Sequence, residues 1–363
     1  MIDLEVRRAG ASNVRLERDV ESVRDEWDDL ADRTAASPFL RPSWVEAWWR
    51  AFGAGRFELV TVRRDEELVA VVPLAVRGAV VRTASNWHTP LFAILAKDRD
   101  AERAAAETAV GRAGRRLSAA FLEEGRIAQW EQAARAAGYR VISRTLERSP
   151  HIEITTDWET YEGRLSGSFR SELRRRLRRL EEKGEVVFEI ADGSKQLAEL
   201  LDEGFAVEGS GWKDARGTAI ASSPATRRFY TDIATQAAAS DSLRLAFLRL
   251  GGAAVAFQLN LEHRGVWYYL KGGFDPAVAR YSPGQLLMRH VIRHAFAAGL
   301  TSYEFLGGDE RYKLSWTSTS RARILLQAFA PTAAGLADYA VFAHGRPLAK
   351  RLGGDRIRRL VVS

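Results

Sequence analysis

The chain has 363 residues, 46% apolar and 28% charged, a composition that fits a folded globular protein and argues against a disordered one. Single hydrophobic cores stop growing at ~250–300 residues, so this length points to two domains. Cysteine is absent, which excludes disulfides, cysteine nucleophiles, iron–sulfur clusters and cysteine-based zinc sites. The net charge of +7 favours anionic partners, whether a nucleotide cofactor, RNA or an acidic membrane surface, without choosing among them.

Residues 1–13 mix acids and bases around no apolar core, so no signal peptide is expected. The pattern then predicts helices over 20–32 and 40–52, the second started by Pro42, with Trp44, Trp48 and Phe52 spaced along one face. Strands are predicted over 57–63 and 67–76, the latter reading as a buried run. The apolar run at 68–76 is also the longest in the chain, far below the ~20 residues a membrane span needs, and a cytoplasmic location is expected. A short strand over 91–96 follows, then a helix (101–110), a strand (116–121), a helix (124–137) stopped by Gly138, and a strand (139–145). A domain boundary is expected near Ser149–Pro150 or just after a strand at 151–155, giving domains 1–155 and 156–335 with a C-terminal helix and basic tail over 336–363. The second half predicts helices over 169–183, 195–209 and 224–239, with a strand at 186–190. Strands at 243–250, 253–263 and 266–274 form a meander turning at Gly251–Gly252. A helix over 283–298 ends at Gly299, and strands at 302–306 and 321–329 precede a last helix over 333–348. The class is α/β (mixed α+β).

Several segments carry candidate chemistry. In Arg280-Tyr281-Ser282-Pro283-Gly284-Gln285, Ser282 reads as an N-cap, Pro283 as the first helical residue, and Gln285 as the partner of Ser282 in a capping box. Such a helix start directly after a strand offers N–H donors and a positive dipole end to phosphate, and Arg280 adds charge; a well-capped helix and nothing more is the plain alternative. In the segment from Tyr303 to Lys313 a strand runs into Gly307-Gly308 and a polar cluster. Asp309 or Glu304 is a candidate general base, and Lys313 a candidate donor to developing negative charge; a solvated turn, or a buried paired Glu304, competes. Simple alternation puts Trp267, Tyr269 and Lys271 on one face of a strand, where Lys271 reads equally well as a snorkelling surface residue. Over 169–183, Phe169, Leu173, Leu177 and Leu180 form an apolar stripe. Arg170, Arg174, Arg175, Arg176, Arg178 and Arg179 crowd the other faces, which suits a phosphate-rich ligand or RNA as well as a solvated surface. Gly209-Ser210-Gly211 breaks a helix and presents Trp212 and Lys213 as pocket candidates. His290 and His294 have zinc-compatible spacing, but no third ligand accompanies them, and no metal is expected. The glycine pairs match neither the Walker nor the dinucleotide fingerprint.

Taken in order, Ser37-Pro38-Phe39, Trp44, Trp48-Trp49, Pro73-Leu74, Trp212-Lys213, Tyr281-Ser282-Pro283-Gly284, and Phe305-Leu306-Gly307-Gly308-Asp309 followed by Tyr312-Lys313 and Trp316 resemble the CelD/BcsL-type acetyltransferase domain of the GNAT superfamily. The resemblance covers roughly residues 20–330. The basic helix and the Val-rich strand after it also resemble the start of the second domain of FemABX enzymes. This implies tandem GNAT-like domains, each a mixed twisted sheet flanked by helices, with the donor site in the second and the first helping to form the acceptor cleft. Tyr281 to Gln285 would cradle the donor's pyrophosphate. The superfamily pattern has two spaced glycines there and this chain only Gly284, which keeps aminoacyl-tRNA open beside acetyl-CoA or another acyl-CoA.

The resemblance implies direct acyl transfer to an amine or hydroxyl of a small-molecule, saccharide or amino-acid-like acceptor, with a role in polysaccharide biosynthesis. Lys313, Asp309, Glu304 and Tyr269 would serve catalysis, and Trp212, Lys213, Lys271, Tyr312, Arg174 and Arg178 would bind substrate. Replacing Lys313 by Ala is expected to slow turnover with little loss of stability. Aminoacyl-tRNA-dependent transfer and a non-catalytic binding protein are the alternatives. No DNA partner is expected. The basic, partly apolar tail from Lys350 to Val362 suits peripheral membrane contact or a frayed terminus.

Overall fold

Two apolar runs within residues 57–76, separated by the charged turn at 64–66, produce two long antiparallel strands, and the N-terminal part of the chain is built around them. The structure is a computed structural model and describes residues 12–210, 220 and 223–345. Trp212, Lys213 and the basic tail lie outside the described residues. The elements begin with β1 (Ser12–Glu17), α1 (Arg24–Arg33), α2 (Pro42–Phe52), β2 (Arg56–Arg64), β3 (Glu67–Arg77), β4 (Val80–Thr83), β5 (Leu95–Ala96), α3 (Arg99–Gly111), β6 (Arg116–Glu123), α4 (Ala128–Ala136) and β7 (Arg140–Glu153). They continue with α5 (Trp158–Arg164), α6 (Gly167–Glu181), β8 (Val186–Ala191), α7 (Leu197–Gly209), α8 (Pro224–Ala239), β9 (Leu243–Leu250), β10 (Ala253–His263), β11 (Val266–Phe274), α9 (Pro283–Ala297), β12 (Ser302–Glu304), α10 (Arg311–Leu314), β13 (Ser320–Phe329) and α11 (Ala333–Ala340).

Two compact units result: Met1–Glu147 with Ala322–Ser363, and Arg148–Arg321. In the first, β1, β2, β3 and β4 pair antiparallel in sequence order, β4 pairs parallel with β6, β6 pairs antiparallel with β13, and β5 adds to β3. The second runs β7-β12-β11-β10-β9-β8, antiparallel throughout except for the parallel pair β11/β12. Parallel neighbours need a crossover, and α3 and α9 supply one in each unit. In the second unit α9 packs on β9 to β12, with α5 and α6 against it, while α7 packs on β10 and β11 and α8 on β9.

Four short elements go beyond the sequence expectation: β1, β4, α10 and α5. The last is started by Asp157, whose carboxylate accepts from Thr160 N–H at 2.7 Å. Ser149–Pro150 lies within strand β7, next to the division of the two units at Glu147/Arg148. Chain order groups β13 with the second half, yet it pairs with β6 of the first unit; such long-range pairing leaves no local signature. The strand expected over 302–306 stops at Glu304, because Leu306 and Gly307 turn at φ values of 53° and 59°. No helix among the described residues is long and apolar enough to cross a membrane.

One charged group organises the first unit's sheet. Glu58, 0% exposed on β2, accepts from Arg18 at 3.1 Å, Arg56 at 2.6 Å and Arg112 at 2.8 Å. Burial alone would raise its pKa, but the hydrogen bonds and charges of Arg112 and Arg56 outweigh that and hold the carboxyl below the usual carboxylate range. A depressed carboxyl stabilises the fold above its unfolded-state pKa, and that stabilisation is lost as pH falls through the folded value. Glu58→Gln should therefore cost about 3–5 kcal/mol at neutral pH. In denaturant unfolding, the gap to wild type should narrow as pH drops below the carboxylate range. An equal gap at both pH values would remove the ion cluster from the account.

Candidate active site

The parallel pairing of β11 and β12 lasts three residues, Val266↔Ser302, Trp267↔Tyr303 and Tyr268↔Glu304. Beyond Tyr268 and Glu304 the strands part: β11 continues to Phe274 beside β10, while β12 ends and the chain turns away at Leu306. The first unit has the same strand–helix–strand plan, but there the parting is stitched shut. After Arg82↔Ser118, Thr83 Oγ1 accepts from Ala120 N–H at 3.2 Å, and Phe92 N–H donates to Phe121 O at 2.9 Å.

The end of β11 leads into α9. Ser282 is left-handed, with φ 50° and ψ 54°, and its side chain makes no cap. The expected capping box does not form: in that conformation the hydroxyl does not reach the first-turn N–H groups, and Gln285 is engaged elsewhere. Gln285 Nε2 donates to Tyr312 O at 3.1 Å, and its Oε1 accepts from Trp316 Nε1 at 2.7 Å. Phe169 of α6 stands edge-on to Trp316 at 5.0 Å, and Tyr161 donates to Trp316 O at 2.9 Å. The N–H groups of Ser282, Gln285 and Leu286 are bonded to backbone carbonyls. Pro283 has none, and Gly284 N–H meets no acceptor among the described residues. A side chain on Gly284 would place its Cβ 3.2 Å from the Phe274 ring, a tight contact that the ring would have to yield to.

A β-bulge then separates residues that simple alternation puts together. Leu259 pairs with Lys271 and Asn260 with Tyr269, so Leu270 is the extra residue on β11. Trp267 and Tyr269 stay on the α9 face, in the core that contains Leu286, Leu287 and Val291. Lys271 turns over, and its Nζ lies 5.3 Å from the Tyr230 ring of α8. On the α9 face the phenols of Tyr269 and Tyr312 lie beside each other and interact electrostatically. Burial pushes both phenols up, together with that of Tyr303, whose buried hydroxyl has no partner. All three stay protonated at neutral pH and able to donate.

Lys313 is 4% exposed, and its Nζ donates to Leu306 O at 2.6 Å and Gly308 O at 3.0 Å and pairs with Glu310 at 2.7 Å. Its ammonium is a tie that shapes the loop over 306–310, and the sequence expectation of a cheap replacement changes accordingly. Asp309 is exposed on that loop. Glu304, 4% exposed, accepts through Oε1 from Arg321 and from Ser302 at 3.3 Å, while Oε2 is buried without a partner. Arg280 is exposed and lies over the ring of Tyr281. On α6, which packs beside the 276–281 turn and α9, Glu172 takes Arg175 and Arg176. Arg170, Arg174, Arg178 and Arg179 pair with no carboxylate among the described residues, and Arg174 and Arg178 are exposed. His290 stacks on Phe188 at 4.6 Å and His294 lies 5.6 Å from Trp267, so both rings pack; no group of three potential metal ligands occurs among the described residues.

Sequence reasoning missed Glu208 of α7, 1% exposed, whose Oε2 accepts from Ile220 N–H at 2.8 Å. A Cβ on Gly273 would come within 2.5 Å of Glu208 Cα, so the helix backbone rests directly on β11 beside the bulge. The signal was present: Glu208 continues the buried stripe of Leu201 and Phe205 at helical spacing.

Lys313→Ala should lower stability by about 2–4 kcal/mol, since it strands buried carbonyls and removes the counter-charge of Glu310. Lys313→Met should lose much of the same stability despite its similar length. Wild-type melting for both variants would show that the tie is dispensable.

Residues 167–314 match the model of the acetyltransferase (GNAT) domain. Among curated protein sequences nothing matches the chain. Among solved structures, the chain is similar to the C-terminal domain (DUF2156) of a putative lysylphosphatidylglycerol synthetase from Agrobacterium fabrum, at 15% identity and TM-score 0.56 over 88% of this chain and 96% of that one. It is also similar to FemX, at 12% identity and TM-score 0.54 over 86% and 96%. A conserved protein of unknown function from Bacteroides thetaiotaomicron aligns at 11% identity and TM-score 0.50 over 87% and 99%. At these identities the likeness is one of fold. The matched domain holds the parted strands, the start of α9 and the tyrosine cluster, and residues 167–314 have the fold of a GNAT acetyltransferase domain.

Proposed function

We propose that the protein is an acyltransferase that moves an acyl group, acetyl in the simplest case, from acyl-coenzyme A directly to an amine or hydroxyl of a small-molecule or saccharide acceptor. The observation that carries this reading is the parting of β11 from β12 beside the start of α9. A thin chain such as pantetheine fits between separating strands, and the donor's phosphates then meet Gly284 N–H and the positive end of a 15-residue helix. Arg280 and the unpaired arginines of α6 add long-range attraction. The closed parting in the first unit explains why only the second would take the donor.

In this reading the acceptor's nitrogen or oxygen attacks the thioester carbonyl carbon and the C–S bond breaks. Glu304 Oε2 receives the nucleophile's proton, directly or through water. A hydroxyl of the Tyr269–Tyr312 pair donates to the departing thiolate, a role suited to phenols, which carry their proton at neutral pH. Lys271, Glu208 and Tyr268 would border the acceptor. A saccharide acceptor of the CelD/BcsL type rests on the sequence motifs alone. A second reading takes aminoacyl-tRNA as donor, and the four unpaired arginines of α6 favour it.

Thermal unfolding with acetyl-CoA, with ADP as control, tests the donor. A ligand at ~100 times its Kd stabilises by ~2.7 kcal/mol, or roughly 5–10 °C for a unit of this size. Such a shift with acetyl-CoA and little with ADP supports the first reading, and a panel of amino sugars, amino acids and aminoalcohols assayed for thiol release then identifies the acceptor. No shift sinks it. The second reading expects tRNA binding that weakens steeply with salt and is abolished by Arg174→Glu with Arg178→Glu; salt-independent binding would count against it.

A further inference from the structure

Glu304 is not alone on its face of the sheet. Strand β7, which lies outside the matched acetyltransferase domain, pairs antiparallel with β12 in the register Ser302↔Glu153, Tyr303↔Ile152 and Glu304↔His151. Directly opposed residues on antiparallel strands point to the same side, with Cβ atoms ~4.5–5.5 Å apart. Glu304 and His151 are thus neighbours, 4% and 3% exposed. Each presents one buried polar atom without a partner, Glu304 Oε2 and His151 Nδ1. The other atom of each is committed. Glu304 Oε1 takes Arg321 and Ser302, and His151 Nε2 lies 3.5 Å from Glu153 Oε1. Glu153 is different in kind: its side chain is 65% exposed and it also faces Arg321 at 3.8 Å. Thr317 fixes the strand from the other side by donating to His151 O at 2.8 Å, and His151 N–H bonds Thr319 O at 3.1 Å.

Two buried orphan atoms on directly opposed residues cost stability that an apolar pair in the same place would not. They are also what a proton path requires: an acceptor, a neighbouring two-nitrogen ring, and an outlet to water. We propose that His151 relays protons from Glu304 to Glu153 and so returns the buried carboxylate to its basic form after each transfer. The inference rests on the acyl-transfer reading. The proton that Glu304 Oε2 takes from the acceptor passes to His151 Nδ1, across the strand pair or through one water. The Nε2 proton leaves to Glu153 Oε1 and then to bulk water, and reorientation or reprotonation of the ring resets the pair. No redox partner is needed and charge is conserved at each step. His151 acts through Glu304 and is a positioning and relay residue, not one that touches substrate.

The test uses the full chain. His151→Gln and Glu153→Gln are assayed for thiol release from acetyl-CoA with the panel acceptor of highest rate. The relay predicts that His151→Gln lowers kcat about tenfold or more, leaves KM for acetyl-CoA unchanged, and recovers part of the rate when imidazole is added. Glu153→Gln should make kcat depend on buffer concentration where the wild type does not. A wild-type kcat for His151→Gln overturns the relay, and so does a loss that imidazole leaves untouched while the melting temperature falls, since that is the behaviour of a purely structural pair. The contact is read separately, without turnover, from the His151 ring signals in NMR spectra of wild type and Glu304→Gln. Signals that do not move overturn the pairing. A wild type that shows neither a melting shift with acetyl-CoA nor thiol release sinks the acyl-transfer reading instead, and the NMR result still decides whether the two side chains interact.

Discussion

The three-residue limit on the β11/β12 pairing is the constraint on which the candidate site depends. A parallel pair held for longer would leave no space between the strands, and one never formed would leave nothing to fix their separation. Here the pairing stops because two different devices act on the two strands. The Leu270 bulge re-aims β11 while keeping it against β10, and the left-handed turn at Leu306 and Gly307 ends β12. Lys313 holds that turn through the carbonyls of Leu306 and Gly308, so a residue with no free donor of its own still determines where the strands diverge. Gln285 does the corresponding work at α9, bonding at once to the Tyr312 carbonyl and the Trp316 indole.

The contrast between the units gives this constraint its meaning. Both contain a parallel pair crossed by a helix. In the first, short hydroxyl side chains and the backbone of Phe92 satisfy the groups that the diverging strands expose. In the second, Phe305 N–H donates instead to Pro150 O at 3.1 Å, and the strands part near the start of α9. Buried polar groups are normally satisfied within the protein. Around the parted strands Tyr303, Glu304 and His151 each keep a buried atom without a partner among the described residues, and such atoms cost stability.

Charge is distributed by the same logic. Glu58 collects three arginines and so anchors β2 within the first unit's sheet, where burial makes the cluster costly to break. On α6, by contrast, one glutamate serves two of six arginines, and Arg174, Arg178 and Arg179 stay exposed. The first arrangement is structural. The second is a surface that keeps its positive potential for something outside the chain.

The sequence by itself determined the kind and order of most elements, because helix and strand periods, Pro at first turns, and the Gly251–Gly252 hairpin are properties of residues within four positions of one another. It also placed the start of α9, the arginine helix and the polar loop after β12. It did not determine which atoms those segments would engage. Lys271 was expected beside Tyr269 and turned to the other face, since a bulge depends on the register of a partner strand. Gln285 was expected to cap its own helix and instead tied down residues 27 and 31 positions away. Lys313 looked free and was saturated. His151 carried little local signal of a role, and it met Glu304 only because strands some 150 residues apart pair. Local propensity is fixed by neighbours in the chain, whereas hydrogen-bond partners and burial are fixed by which distant strands meet, and that was decided only by the tertiary structure.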